Sequence, residues 1–326
     1  SDHQQAVNSV PDAVVPATPL QGWASPLNFK PGPEFFDGGK PHSEEGAVFE
    51  AVPKDYGAVR VHIVERGPLA AVRPVPGTQG LFGSALFDKV AAILAKGQIV
   101  HAYEKGSAKL FSDADKVVVN GKSGVIDAYS GILAIGPRYA EIGDANGDGH
   151  NDKKGMNVEH VEPQSLFDRA SPMRSDLHIL MATFEHPNSV RGNLPFGIVV
   201  RNIDYENKAG AKRGLDANGQ YVFEPPDAVK GRVARALLYY NTRYAPAMGT
   251  PAALFWNRQI KVMLQWNQKY LPDAFEARRN NIVEDYQGNR NAFVDDPGLA
   301  DRIGADALRA GPPPTPRQLR RHAYLR

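Results

Sequence analysis

The sequence predicts an α+β fold, and three observations predict it. Apolar and polar residues alternate along Val59-Arg60-Val61-His62-Ile63-Val64, the period of a half-buried strand. Helical spacing dominates between Asp227 and Gly288. Between these regions, Glu159-His160, Leu177–Met181 and the Pro187-Asn188 pair read as strand, strand and short helix in immediate succession.

The elements follow in order. Residues 1–78 hold Pro11, Pro16, Pro19, Pro26, Pro31, Pro33 and Pro41 at close intervals, which resists helix and favours extended or turn backbone. This segment is expected as an arm or small β module around the 59–64 strand. After Gly80, Phe87, Val90, Ala91 and Leu94 fall at helical spacing and Gly97 can end the helix. Strands are expected at Val117–Val119 and Val125–Tyr129. Pro225-Pro226-Asp227 opens a helix running to about Tyr244, since Pro and an acidic residue suit a first turn. Further helices are expected over about Ala252–Trp266 and from Pro272-Asp273 to Gly288, the latter with Phe275, Ile282 and Tyr286 on its buried side. Tyr239, Tyr240, Trp256 and Trp266 read as core. Residues 79–297 thus form the main domain, and 298–326 a basic, Pro-rich tail containing Arg317, Arg320 and Arg321.

Composition narrows the classes. With 38 Lys+Arg against 36 Asp+Glu the formal charge is only +2, so any nucleic-acid surface must be a local patch. Positive charge gathers at Lys208, Lys212 and Arg213, at Arg232 and Arg235, and at Arg278 and Arg279. No apolar run approaches the ~20 residues that span a bilayer. Zero Cys excludes a disulfide framework. The chain begins Ser1-Asp2-His3 and shows no signal-peptide core, the expectation for a mature or trimmed chain.

The chemistry concentrates at Glu159, His160 and Asn188. A carboxylate can anchor a hard divalent cation, a neutral imidazole can deprotonate water, and an amide oxygen can complete the metal shell without adding charge. Mg²⁺ takes few protein ligands and retains several waters, so one carboxylate and one amide suit it. Neighbouring side chains of a strand point to opposite faces, so Glu159 and His160 serve one site only if the strand ends, bends or bulges there. A Glu-His dipeptide alone is a weak motif and fits an ordinary surface or core pair as well. The zinc patterns His-Glu-x-x-His and His-x-x-Glu-His are both absent, Met156 occupying the first His of the latter. His178 and His186 could join His160 on zinc, although His178 reads better as a structural brace.

The wording around these residues is more specific. Gly155-Met156-Asn157-Val158-Glu159-His160-Val161-Glu162-Pro163-Gln164-Ser165-Leu166-Phe167 resembles the signature of the bacterial endonuclease I family. Four further segments agree in the same order: Pro172 to His178, Asn188 to Gly197, Pro225 to Arg235, and Gln287 to Asn291. The resemblance covers about Leu81 to Pro297. It implies a ββα-metal (His-Me) finger core, with His160 as general base and Glu159 and Asn188 as Mg²⁺ ligands. It also implies sequence-nonspecific hydrolysis of DNA, and often RNA, leaving 5′-phosphates. Ile179 and Ala182 depart from the family's usual polar residue and proline, and the disulfides of some relatives are missing. The shorter loop between His160 and Asp176 does not carry over the family's phosphate-binding arginine; Arg174 is its substitute candidate. The rival reading is a catalytically inactive, calcium-stabilised nucleic-acid- or matrix-binding protein on the same fold.

A second metal site is expected at Asp144-Ala145-Asn146-Gly147-Asp148-Gly149-His150-Asn151-Asp152. Oxygens of Asp144, Asn146, Asp148, the His150 carbonyl and Asp152 fall at alternate positions, as in calcium loops. The closing Glu of an EF-hand is absent, Gly155 standing there. Bound Ca²⁺ would brace the approach to Glu159 and fits a secreted or periplasmic setting.

Overall fold

The computed structural model describes residues 69–119, 122–135, 156–245 and 248–309, with the backbone of four short N-terminal strands. The residues expected to form a calcium loop, Asp144, Asn146, Asp148, His150 and Asp152, lie outside the described residues, as do Arg317, Arg320 and Arg321. Among the described residues the chain is α+β, and no helix is long and apolar enough to cross a membrane.

The N-terminal strands are β1 (Phe36–Asp37), β2 (Lys40–Pro41), β3 (Val48–Ala51) and β4 (Val59–His62). Then come α1 (Gly83–Ala95) and α2 (Tyr103–Lys109), which runs into a π-helical turn at Leu110–Ala114. Strands β5 (Lys116–Val119), β6 (Lys122–Ile126) and β7 (Ile132–Ile135) complete a five-stranded sheet of order β3-β4-β7-β6-β5. Because β4 pairs antiparallel with β7, Val59 opposite Ala134, the 59–62 strand belongs to a sheet shared with the main domain. Strand β6 stops at Ile126, short of Tyr129: the Asp127 carboxylate accepts from the backbone N–H groups of Tyr129 and Ser130 and turns the chain.

Next are β8 (Met156–His160) and β9 (Leu180–Phe184), an antiparallel pair with an unbroken register from Met156 opposite Phe184 to His160 opposite Leu180. Helix α3 (Glu185–Arg191) follows β9 directly. Residues Leu177–Ile179, expected to begin the second strand, form a 3-10 turn, because the Asp176 side chain accepts from the His178 N–H and starts a turn there. Strands β10 (Arg201–Glu206), β11 (Lys212–Leu215) and β12 (Tyr221–Glu224) make a separate meander.

The remaining helices are α4 (Asp227–Tyr244), α5 (Thr250–Lys269), α6 (Ala274–Gln287), the single turn α7 (Ala292–Asp295) and α8 (Gly298–Leu308). Helix α4 is buried on nearly every face and forms the axis of the core. Helix α6 is capped as its sequence suggests, Asp273 accepting from the Glu276 N–H and Gly288 taking the left-handed conformation. A Cβ at Gly288 would lie 2.3 Å from the Gly97 carbonyl oxygen, so the close approach of these two turns requires glycine.

The buried side of α6 differs from expectation. It comprises Glu276, Arg279, Asn280, Val283 and Gln287, while Phe275, Ile282 and Tyr286 are only partly covered. Charged partners explain the difference: Arg235 forms a bidentate pair with Glu276 (2.7 and 2.6 Å), and Arg279 reaches Asp115 at 2.6 Å. The folded body also continues past residue 297, since α8 packs on α1 and α5 and the Trp256 indole donates to the Leu308 carbonyl. The four predicted core aromatics, Tyr239, Tyr240, Trp256 and Trp266, are all buried.

Candidate active site

The β8–β9 hairpin and α3 bring the predicted residues into one neighbourhood. On β8, Asn157 and Glu159 share a face by alternation. On α3, Asn188 and Arg191 are three residues apart and therefore share a face. The two faces meet: Asn188 Nδ2 donates to Asn157 Oδ1 (2.5 Å), and Arg191 lies 3.1 Å from Glu159 Oε1. Asn188 and Glu159 thus lie over the same side of the hairpin. The side-chain amide of Asn188 also points Nδ2 at the Val158 carbonyl (3.5 Å), which leaves its Oδ1 as the free donor atom.

Glu159 is buried, and both of its close contacts among the described residues fall on one oxygen. Tyr129 donates its hydroxyl to Oε1 at 2.7 Å, alongside Arg191. Burial raises the Glu159 pKa, and the Arg191 charge and the Tyr129 bond oppose that rise. The second oxygen remains for a cation, and with the Asn188 amide oxygen gives the all-oxygen donor set that suits Mg²⁺. The residues present fit that ion.

His160 ends β8, and its surroundings fix its tautomer. Its Nε2 lies 2.9 Å from the Arg174 carbonyl oxygen. A carbonyl only accepts, so Nε2 carries the proton and Nδ1 carries the lone pair. Nδ1 is buried and has no hydrogen-bond partner, the Val158 carbonyl being its nearby polar neighbour. Burial pushes the imidazole pKa down to about 4; the Arg174 carbonyl bond and the nearby Val158 carbonyl work the other way, and the charges of Arg174 and Arg191 reinforce the fall. The ring is therefore neutral near pH 7. The bulge or bend anticipated here is absent, because the hairpin register is regular through His160 and Val161 donates to the Ile179 carbonyl. Of the three routes to a shared site, the strand end is the one present, since β8 stops at His160.

Arg191, unremarked in the sequence, ties the unit together. Its guanidinium donates to the carbonyls of His160 (3.0 Å) and Val161 (2.6 Å) as well as pairing with Glu159. Its spacing of three from Asn188 was the available signal. Tyr129, thirty residues before Glu159, had none. Glu162 is also buried, both its oxygens lack hydrogen bonds, and burial lifts its pKa to about 8. Arg174 is half-buried with its guanidinium 4.5 Å from the Tyr103 ring centre.

Other expectations resolve differently. Among the described residues no group of three or more His, Cys, Asp or Glu could hold a metal, so a zinc site on His160, His178 and His186 has no support. His178 Nε2–H donates to the Asn289 carbonyl and braces the hairpin. Arg235 and Arg279 are buried in ion pairs, Arg213 pairs with Asp204 and Lys212 with Glu206. The buried pairs of Arg235 and Arg279 serve the fold before any phosphate, as the need to pair buried charge requires, whereas those of Arg213 and Lys212 are partly exposed surface pairs.

Comparison with known proteins identifies the family. The model of the family described as Endonuclease I matches residues 83–298, well over half the chain. The chain belongs to the endonuclease I family. An extracellular ribonuclease of Bacillus amyloliquefaciens is 36% identical over 164 residues, which is 45% of this chain and 53% of the relative. The extracellular ribonuclease of Bacillus subtilis (strain 168) is 35% identical over 165 residues, with the same coverage. An extracellular deoxyribonuclease of Aeromonas hydrophila is 27% identical over 128 residues, 39% of this chain and 52% of the relative. The chain spans about half the length of the curated relatives it matches.

Proposed function

We propose that this protein is a metal-dependent, sequence-nonspecific endonuclease that hydrolyses phosphodiester bonds of DNA and RNA, built on a ββα-metal finger formed by β8, β9 and α3. The observation that carries the reading is His160: a neutral imidazole whose Nε2–H is tied to a backbone carbonyl and whose Nδ1 lone pair is unpartnered. Family membership and relatives named for both ribonuclease and deoxyribonuclease activity support the substrate class.

In this reading His160 Nδ1 takes the proton of the attacking water, a role typically worth about 10²–10⁴-fold. Arg191 keeps the end of β8 rigid through the His160 and Val161 carbonyls, so the base does not drift from the reacting phosphorus. Glu159 and the Asn188 amide oxygen hold Mg²⁺, which when bound supplies Lewis acidity at the phosphoryl oxygen. Arg174 offers its cation to the phosphate, and cleavage leaves 5′-phosphates. The 144–152 loop is assigned structural Ca²⁺, and the extracellular names of the relatives fit a secreted or periplasmic location.

The test is cleavage of plasmid DNA and of RNA with Mg²⁺, with end-group analysis of the products. Folded His160→Ala protein is expected to lose at least about 10²-fold in rate. Undiminished cleavage by that variant would overturn the assignment, and tight binding by the unaltered protein without any cleavage would favour the inactive binding protein.

A further inference from the structure

Tyr103 opens α2, far in sequence from the hairpin, yet its half-buried ring faces the site. The Arg174 guanidinium carbon stands 4.5 Å from its ring centre. The His160 ring is 5.7 Å away and inclined by only 28°. The third contact closes the group, since His160 Nε2–H donates to the Arg174 carbonyl. Backbone and side chain of Arg174 are therefore held by different partners, the imidazole gripping one and the phenol ring the other.

Arg174 differs from most other arginines near the hairpin. Arg191, Arg279 and Arg235 each pair with a buried carboxylate, whereas no described carboxylate pairs with Arg174. A guanidinium with no carboxylate partner among the described residues, presented beside a base, is suited to a phosphate, which it can grip through two parallel N–H donors. A free arginine would lose much rotamer freedom in doing so, and one already laid on an aromatic face loses less. We infer that Tyr103 is a positioning residue that holds Arg174 in its phosphate-gripping pose beside His160. The inference rests on the nuclease reading and adds to it the residue that orders the substrate-binding cation.

The test is a double-mutant cycle on the full chain, using Tyr103→Leu, Arg174→Ala and the pair, with Tyr103→Phe as the conservative control. Two readouts are needed: Kd for a fluorescent single-stranded DNA oligonucleotide without added metal, and kcat and KM for cleavage with Mg²⁺. Tyr103→Phe keeps the ring and should behave as wild type. Tyr103→Leu keeps bulk against His160 but loses the charged stack, so Kd and KM should rise about 3- to 10-fold with kcat nearly unchanged. In the Arg174→Ala background, Tyr103→Leu should add nothing. Multiplying effects, or wild-type binding by Tyr103→Leu, would sink the inference; Tyr103→Met replaces the Leu variant should that one fail to fold. A parallel His160→Ala assay separates the two ideas: a dead His160→Ala enzyme with a multiplicative cycle rejects Tyr103 alone, an active one rejects His160 as the base whatever the cycle shows, and absence of cleavage by the unaltered protein rejects the nuclease reading.

Discussion

Two polar regions are buried against the same hairpin, and they are built in opposite ways. Around Asp115 and Asp176, side by side with α4 and α6, the carboxylates are well supplied with donors. Asp176 accepts from the His178 N–H, Gln98, Gln287, Tyr239 and Tyr244. Asp115 accepts from Arg279 and the Ala182 N–H and lies 3.5 Å from Arg232. Near the same end of the hairpin, around the stretch that follows β8, His160 Nδ1, both Glu162 oxygens, Gln164 Oε1, and the Nε atoms of Arg174 and Arg191 have no hydrogen-bond partner. Buried polar groups are ordinarily satisfied. Unpartnered atoms also occur on α4 and α6, at Asn241, Thr242, Arg243 and Tyr286, so the contrast is one between carboxylates: those of Asp115 and Asp176 are held by several donors, and that of Glu162 by none.

The largest effect should come from breaking the satisfied side. Arg279→Ala leaves Asp115 buried and removes bonds to the Leu177 and Leu180 carbonyls. A loss of about 3–5 kcal/mol is expected in urea unfolding, while activity per folded molecule stays near wild type. His160→Ala should show the reverse, with cleavage lost and stability little changed. If both variants lose stability alike, the division between the two regions is false.

Glu162 sharpens the comparison next. Its pKa is 4.5 as a free group and about 8 in the fold, because burial opposes the charged form more than Arg191 favours it. Between those values the unfolded chain has released a proton that the folded chain retains, so stability falls as pH rises from about 4.5 to 8. Glu162→Gln removes this slope. Its stability advantage over wild type should be near zero at pH 4.5 and should widen by about 1 kcal/mol per pH unit up to pH 8. Parallel curves for the two proteins would show that Glu162 has a partner after all.

His178 supplies the opposite slope from within the satisfied region. Burial lowers its pKa from 6.5 to about 4, against the pull of Asp176 and of the Asn289 bond. The unfolded chain binds a proton in that window and the folded chain does not. Its contribution is therefore intact above pH 6.5 and lost as pH falls toward 4, about 3 kcal/mol in all. His178→Gln should be less stable at pH 7 but free of that acid-side loss. Buried Asp127, with its pKa raised from 3.8 to about 6, acts in the same sense as Glu162, so the slopes are best read as differences between variant and wild type.

Local signals made much of this architecture legible from the sequence. Asp273 and Gly288 mark both ends of α6, Pro226-Asp227 opens α4, and Glu159, His160 and Asn188 are marked by the wording of their motif. What escaped depends on contacts distant along the chain. Apolar periodicity assigned the buried side of α6 to Phe275, Ile282 and Tyr286, but Arg279 and Glu276 turn inward because Asp115 and Arg235 wait there. Nothing near Tyr103 or Tyr129 announces that their rings reach residues 174 and 159. Periodicity detects burial through hydrophobicity and is blind to buried charge that is paired.

The smallest effect tests the border between the two regions. Tyr129 is fully buried and packs against Phe223, so Tyr129→Phe preserves its shape and its aromatic contact. It loses the single hydroxyl bond to Glu159, a change of about 0.5–1.5 kcal/mol. If the hydroxyl only stabilises the fold, that loss in unfolding is the whole result. If it also aims the carboxylate whose other oxygen binds the ion, the Mg²⁺ concentration needed for half-maximal thermal stabilisation should rise severalfold, and the Glu159→Gln protein should be insensitive to the Tyr129 change by the same readout. An unchanged Mg²⁺ midpoint would place Tyr129 wholly with the structural network.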